Sequence, residues 1–224
     1  AAARGLPLLN AACDGRAHRL GTMGALGLAS DPLYQTIQVA CGGLRENGTY
    51  TELVSTGSVA TTAKLCRSAA DLAGGRAVVV RNPVRVGYLR EHGAVGCYTQ
   101  AMELGRAMSA AAPALRPQAA AKFLGGRIAA CGTVQAFSLL SENGLDHGSC
   151  TIAAGSERFQ LTFYNEFMTM EHGTDLQDGM EVAVLTVPRQ RLLLSSGVRD
   201  GSLYEDLERI VRREMRSFIS DVLI

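Results

Sequence analysis

The chain has 224 residues, 47% of them hydrophobic and 19% charged, with no Trp, six Cys and a net charge of +1. These totals exclude a disordered chain and a small disulfide scaffold, and they supply no basic field for nucleic acid or an anionic membrane. The length suffices to bury a core without staples, and the abundant Ala and Gly predict close packing of small side chains.

In chain order, residues 5–9 predict a loop entering a short buried strand, which ends at the polar cluster Asn10 to Arg16. Ligands of α/β sheets sit beyond the carboxyl ends of strands, so that cluster is the first candidate site. Strands are expected at 35–41, closed by Gly42-Gly43, and at 51–54. Ser58 is positioned to cap a helix with small apolar residues at 59, 63, 66, 69, 70 and 73, stopped by a left-handed Gly74-Gly75. The run 77–80 has the β-branched character of a buried parallel strand. Met102, Gly105, Met108 and Ala112 mark the stripe of a helix over 99–112, which Pro113 breaks.

Beyond Gly125 the helical period disappears. Segments 127–139, 147–153, 158–164 and 165–171 are strand-like, with turn signals at Asn143-Gly144 and Gly155-Ser156. A last buried strand is expected at 181–187, with 191–194 beside it. Ser202 to Glu205 forms a capping box for a C-terminal helix with an apolar face at 203, 207, 210, 211 and 218. The predicted fold class is α/β: a layered α/β domain with an inserted antiparallel β-barrel-like module. Its parts are an α/β domain over 1–124, the β module over 125–172, and a strand and helix over 173–224 that return to the first part.

The six cysteines, at 13, 41, 66, 97, 131 and 150, form no Cys-x-x-Cys pair. They read as reduced thiols of a cytoplasmic protein, most of them buried. No apolar run approaches a membrane span, and the first residues are not an apolar targeting segment. His92, His147 and His172 are isolated, so a metal site would need ligands from distant segments.

Four places carry polar chemistry. Asp14, Arg16 and His18 put a carboxylate, a guanidinium and an imidazole within five residues, enough to bind an amide or carboxylate and to move protons. The alternative there is a turn whose side chains satisfy backbone groups. Asn165 and Glu166 lie between Tyr164 and Phe167, where an apolar setting would suit a carboxylate base or ligand; a bulge or strand cap is the alternative. Cys97 stands just before the helix over 99–112, where the helix dipole favours a thiolate, with Thr99 as the expected cap. Packing as a small buried residue is the alternative for Cys97. Ser55-Thr56-Gly57-Ser58 is an anion cradle without the phosphate-loop lysine.

Several of these pieces, in this order, resemble the S-methyl-thiohydantoin-desulfurase-like family, whose members are associated with hydantoinase and oxoprolinase subunits. They are Ala1 to Pro7 running into Asp14-Gly15-Arg16-Ala17, then Thr99 to Ala107, Gly125 to Ile128, Phe163-Tyr164-Asn165-Glu166-Phe167, and Asp178 to Val184. The resemblance is to the family's central and C-terminal part, and it implies that the Asp-Gly-Arg and Asn-Glu motifs line one cleft. Two departures stand out. The family's extended Asp-x-Asp-Gly-x-Gly-Arg pattern is reduced here to Cys13-Asp14-Gly15-Arg16. Members also carry a further α/β portion before the point where this sequence starts, so the chain is expected to be a fragment or to be completed by another chain.

The resemblance implies a hydrolase or desulfurase acting on a cyclic amide or thioamide. In that expectation Asp14, Arg16 and Glu166 are catalytic, and His18, Asn165, Cys97 and Thr99 bind substrate. Arg16 orients the substrate, and Asp14 or Glu166 activates water, alone or as ligand of a divalent metal, the cofactor left open. The expected partners are a small-molecule substrate, a hydantoinase-like subunit in a non-catalytic alternative, and further copies of the chain in a homo-oligomer.

Overall fold

The structure is a computed structural model that describes residues 5, 7–13, 21–142, 145–164, 176–205, 208, 209, 212 and 214. Its first strand, β1 (Ala11–Ala12), is short and pairs antiparallel with β5 (Ala94–Val95). Before it, residues 7–9 form no part of the short buried strand that the loop was expected to enter. Leu8 and Leu9 are exposed, because nothing among the described residues covers them.

The chain then builds a three-stranded sheet from β2 (Thr36–Gly42), β3 (Thr51–Gly57) and β4 (Ala77–Arg81), in the order β3-β2-β4. Both pairings are antiparallel, which corrects the parallel reading of 77–80. The physical reason is one-sided cover. Helix α1 (Val59–Leu72) packs on one face only, so β4 alternates and leaves Val78 and Val80 more than 70% exposed. Ser58 caps α1 as expected, its hydroxyl accepting from Thr61 N at 3.2 Å. The buried positions are Val59, Thr62, Cys66, Ala69 and Ala73, a helical period in which Thr62 replaces the expected Ala63. Gly74 and Gly75 end the helix at φ +87° and +94°, a region that a Cβ would penalise.

Two short helices and two longer ones follow in the middle of the fold: α2 (Val86–His92), α3 (Cys97–Ala110) and α4 (Arg116–Leu124), with α5 (Ser196–Arg199) after the second sheet. The face that α3 packs inward carries Leu104, Ala107, Met108 and Ala111, whereas Met102, Gly105 and Ala112 are exposed. The helix is therefore turned away from the expected stripe, and α4 is the helix that packs against it.

The second sheet is four-stranded and antiparallel, in the order β8-β7-β6-β9, from β6 (Arg127–Glu142), β7 (Leu145–Ala154), β8 (Glu157–Tyr164) and β9 (Glu181–Thr186). Glu142 pairs with Leu145, so residues 143–144 make the connection where a hairpin was expected; they lie outside the described residues. So do 165–171. Among the described residues the outer strands β8 and β9 do not pair, and the sheet is not closed into a barrel. Its inner face holds Val134, Cys150, Ile152 and Leu176, with Phe137, Leu139, Phe159 and Leu161 around them.

Residues 191–194 do not add a strand. Arg191 ends a 3-10 turn, and its guanidinium donates to the Phe123 carbonyl at 3.1 Å while its own carbonyl accepts from Gln100 Nε2 at 2.9 Å, tying α4 to α3. Near the C-terminus the capping residue is Asp200 and not Ser202: its carboxylate accepts from Ser202 N at 3.0 Å and from the Ser202 hydroxyl at 2.6 Å. Tyr204 is fully buried and donates its hydroxyl to the Val198 carbonyl at 2.8 Å. Apolar positions 207, 210, 211 and 218 of the expected helix lie outside the described residues.

Candidate functional site

The antiparallel register places Ser55, Gln38 and Arg81 in one row across β3, β2 and β4. Alternation along the strands turns that row toward α1, where Thr62 and Cys66 face it. Gln38 is fully buried and acts as the hub. Its Oε1 accepts from Cys66 Sγ at 3.4 Å, and its Nε2 donates to Asn82 Oδ1 at 3.3 Å. Thr36 Oγ1 donates to the same Asn82 oxygen at 3.0 Å, and Ser55 Oγ donates to the Gln38 carbonyl at 3.5 Å.

Asn82, just beyond β4, is 6% exposed, and its Nδ2 has no hydrogen-bond partner among the described residues. Its backbone is left-handed at φ +52° although Pro83 follows, a position that favours extended backbone. No hydrogen bond or ion pair joins the Arg81 side chain to another described residue. Its guanidinium lies under Gly21, where a Cβ would stand 2.6 Å from Arg81 Nη1 and 2.8 Å from Ala63 Cβ, so only glycine allows that approach. Burial pushes the Cys66 thiol up, opposed by the Ser55 hydroxyl and the Arg81 charge.

A second polar site forms at the start of α3. Gly96, not Thr99, is the N-cap residue, and the side chain that serves the helix start comes from Asn10. Asn10 Oδ1 accepts from Thr99 N at 3.2 Å, its Nδ2 donates to Thr99 Oγ1 at 2.6 Å, and its carbonyl accepts from Gly96 N at 2.7 Å. Thr99 is thus the capped residue and not the cap, because Asn10 arrives through the β1–β5 pairing with the acceptor already aimed. Cys97 is the first residue of α3 and is half-buried. A third contact joins His92 Nδ1 to Ser196 Oγ at 3.0 Å, with the Tyr88 ring stacked on the imidazole at 4.0 Å.

Of the residues expected to carry chemistry, Asp14, Arg16, His18, Asn165 and Glu166 lie outside the described residues. Cys97 and Thr99 sit together on one helix turn. The anion cradle is mostly strand: Thr56 and Gly57 pair with Ile37 and Thr36. Among the described residues no three His, Cys, Asp or Glu side chains gather to hold a metal ion, and no helix is long and apolar enough to cross a membrane. Gln38, Arg81 and Asn82 were not singled out from the sequence. The available signal was Arg81-Asn82-Pro83 closing a strand, the same carboxyl-end logic that pointed to Asp14.

Compared with known proteins, residues 57–196 match the family model described as S-Me-THD-like, C-terminal domain, more than half of the chain. The match takes in α1, α3 and the four-stranded sheet, and it includes Cys97, Thr99, Asn165 and Glu166; Asp14, Arg16 and His18 precede it. No curated protein and no solved structure matches the chain.

Proposed function

The chain belongs to the S-Me-THD-like family, and on that premise we propose a hydrolase-type enzyme that opens a cyclic amide or thioamide ring of the hydantoin or thiohydantoin kind. The observation that carries this reading, beside the family match, is how the described residues that flank Asp14, Arg16 and His18 in the sequence are held. On the N-terminal side of those residues Asn10 clamps β1 to the start of α3, and on the C-terminal side Gly21 packs on Arg81. Fixed flanks of this kind support a role for Asp14, Arg16 and His18 in the reaction.

In the proposed reaction Arg16 orients a substrate carbonyl or carboxylate through paired hydrogen bonds. Asp14 or Glu166 takes a proton from water, whose oxygen adds to the ring carbonyl carbon. The carbon–nitrogen bond then breaks and the nitrogen takes up the proton, leaving a ring-opened carboxylate. A divalent metal held by Asp14 or Glu166 would supply the activated water in the same role. The test is turnover of hydantoin and 2-thiohydantoin, followed by loss of ring absorbance, in chelator and with added divalent cations. No turnover under any of these conditions overturns the reading.

A specific observation favours a second one, a non-catalytic partner of a hydantoinase-like subunit. The face of the three-stranded sheet opposite α1 exposes Ile37, Val39, Val54, Val78 and Val80, a contiguous apolar patch of the kind found at protein interfaces. Co-purification with such a subunit, whose activity survives Arg16→Ala and Glu166→Gln, would favour the partner role.

A further inference from the structure

We propose that Arg81 and Asn82, consecutive residues at the end of β4 beside Gln38, form a binding subsite for the carboxylate of a small molecule. Three observations carry it. First, Asn82 Nδ2 is a buried donor with no partner among the described residues, while its Oδ1 takes two hydrogen bonds, from Thr36 and Gln38. Those two donors fix the amide's orientation, so the free group is a donor and requires an acceptor. Second, the Arg81 guanidinium stands in the same cross-strand row as Gln38 and forms no ion pair with a described residue. The described members of the cluster are Thr36, Gln38, Ser55, Thr62, Cys66, Arg81 and Asn82, and none is acidic. A half-buried cation among neutral groups is stabilised by an anion. Third, Asn82 holds a left-handed backbone before a proline, a strained conformation of the kind that concentrates at ligand clamps.

A guanidinium and an amide N–H on neighbouring residues match the two oxygens of a carboxylate. A neutral carbonyl would satisfy Asn82 and leave Arg81 uncompensated, and a phosphate would bring more charge than one cation balances. The subsite is read by binding alone, so a failed hydrolysis assay leaves it standing.

The probe is N-carbamoylglycine, with its uncharged amide, N-carbamoylglycinamide, as control. Isothermal titration calorimetry of the full chain should show saturable binding of the acid and not of the amide. Asn82→Asp keeps the oxygen that Thr36 and Gln38 need and removes the donor, and Arg81→Gln removes the charge. Each should weaken binding about tenfold or more. The wild-type Asn82 side-chain NH2 resonance should also shift on saturation. That measurement decides the matter if either variant loses its thermal unfolding transition. No saturable binding, equal binding of the amide, unchanged affinity in both folded variants, or an unmoved Asn82 resonance overturns the proposal.

Discussion

Beneath α1 the three-stranded sheet buries Thr36, Gln38, Ser55, Thr62 and Asn82 beside Ala40, Cys66 and Ala69, whereas the four-stranded sheet buries Val134, Cys150, Ile152 and Leu176. Both sheets are antiparallel and each buries one thiol, yet their interiors have opposite chemistry. The apolar interior gains from every area it removes from water and asks for no partners. The polar one gains little from burial and must satisfy each donor and acceptor, so a single orphan such as Asn82 Nδ2 is costly to keep. Polar interiors that retain an orphan are where binding is found, and apolar ones are where stability resides.

The largest effect is expected in the apolar interior. Ile152→Ala should cost about 2–5 kcal/mol in urea unfolding, through lost burial and the cavity left between β6 and β8. A loss below about 1 kcal/mol would show that this core is loosely packed and would break the contrast.

Gln38→Ala tests the other interior. It leaves Cys66 Sγ without its acceptor and Asn82 Oδ1 with one donor fewer, and should cost about 1–3 kcal/mol. No measurable change would mean that the hydrogen-bonded row contributes nothing to folding.

Asn10→Ala removes the remote cap of α3 and should cost about 1 kcal/mol, with earlier amide exchange at Thr99. Unaltered exchange there would break the link between β1 and α3.

Alkaline pH sharpens the comparison of the two thiols. Burial raises both Cys66 and Cys150, so the folded chain keeps protons that the unfolded chain gives up. Stability is full below the ordinary thiol range and falls as pH rises through it toward the folded values. Cys150→Ala should flatten that decline; an unchanged slope counts against it.

The smallest effect belongs to the bare sheet face. Val80→Thr should change stability by no more than about 0.5 kcal/mol, because the side chain is already in water. A larger drop, dependent on protein concentration, would show that the face is covered by another chain in solution.

Much of the local structure was legible. Ser58 and Gly74-Gly75 marked both ends of α1, since caps act within a few residues of chain. The turn at Gly155-Ser156 and the strands around it were legible for the same reason. The orientation of 77–81 was not, because a Val-rich run looks alike whether a strand is covered on two faces or one. The packed side of α3 was misread for a related reason: its two candidate stripes share Met108 and are both apolar, and only α4 decides between them.

For the site, the sequence by itself determined which segments are rich in chemistry, and the family resemblance drawn from them agrees with the match over 57–196. It also determined that a helix starts close to Cys97 and that Ser58 caps one. Only the tertiary structure decided that Asn10 serves the helix of Thr99, 89 residues away. It alone brought Ser55, Gln38 and Arg81 into one row and left Asn82 a free donor. The reason is physical: a cap or turn is satisfied by neighbours along the chain, whereas a buried polar group is satisfied, or not, by whatever the fold brings to it.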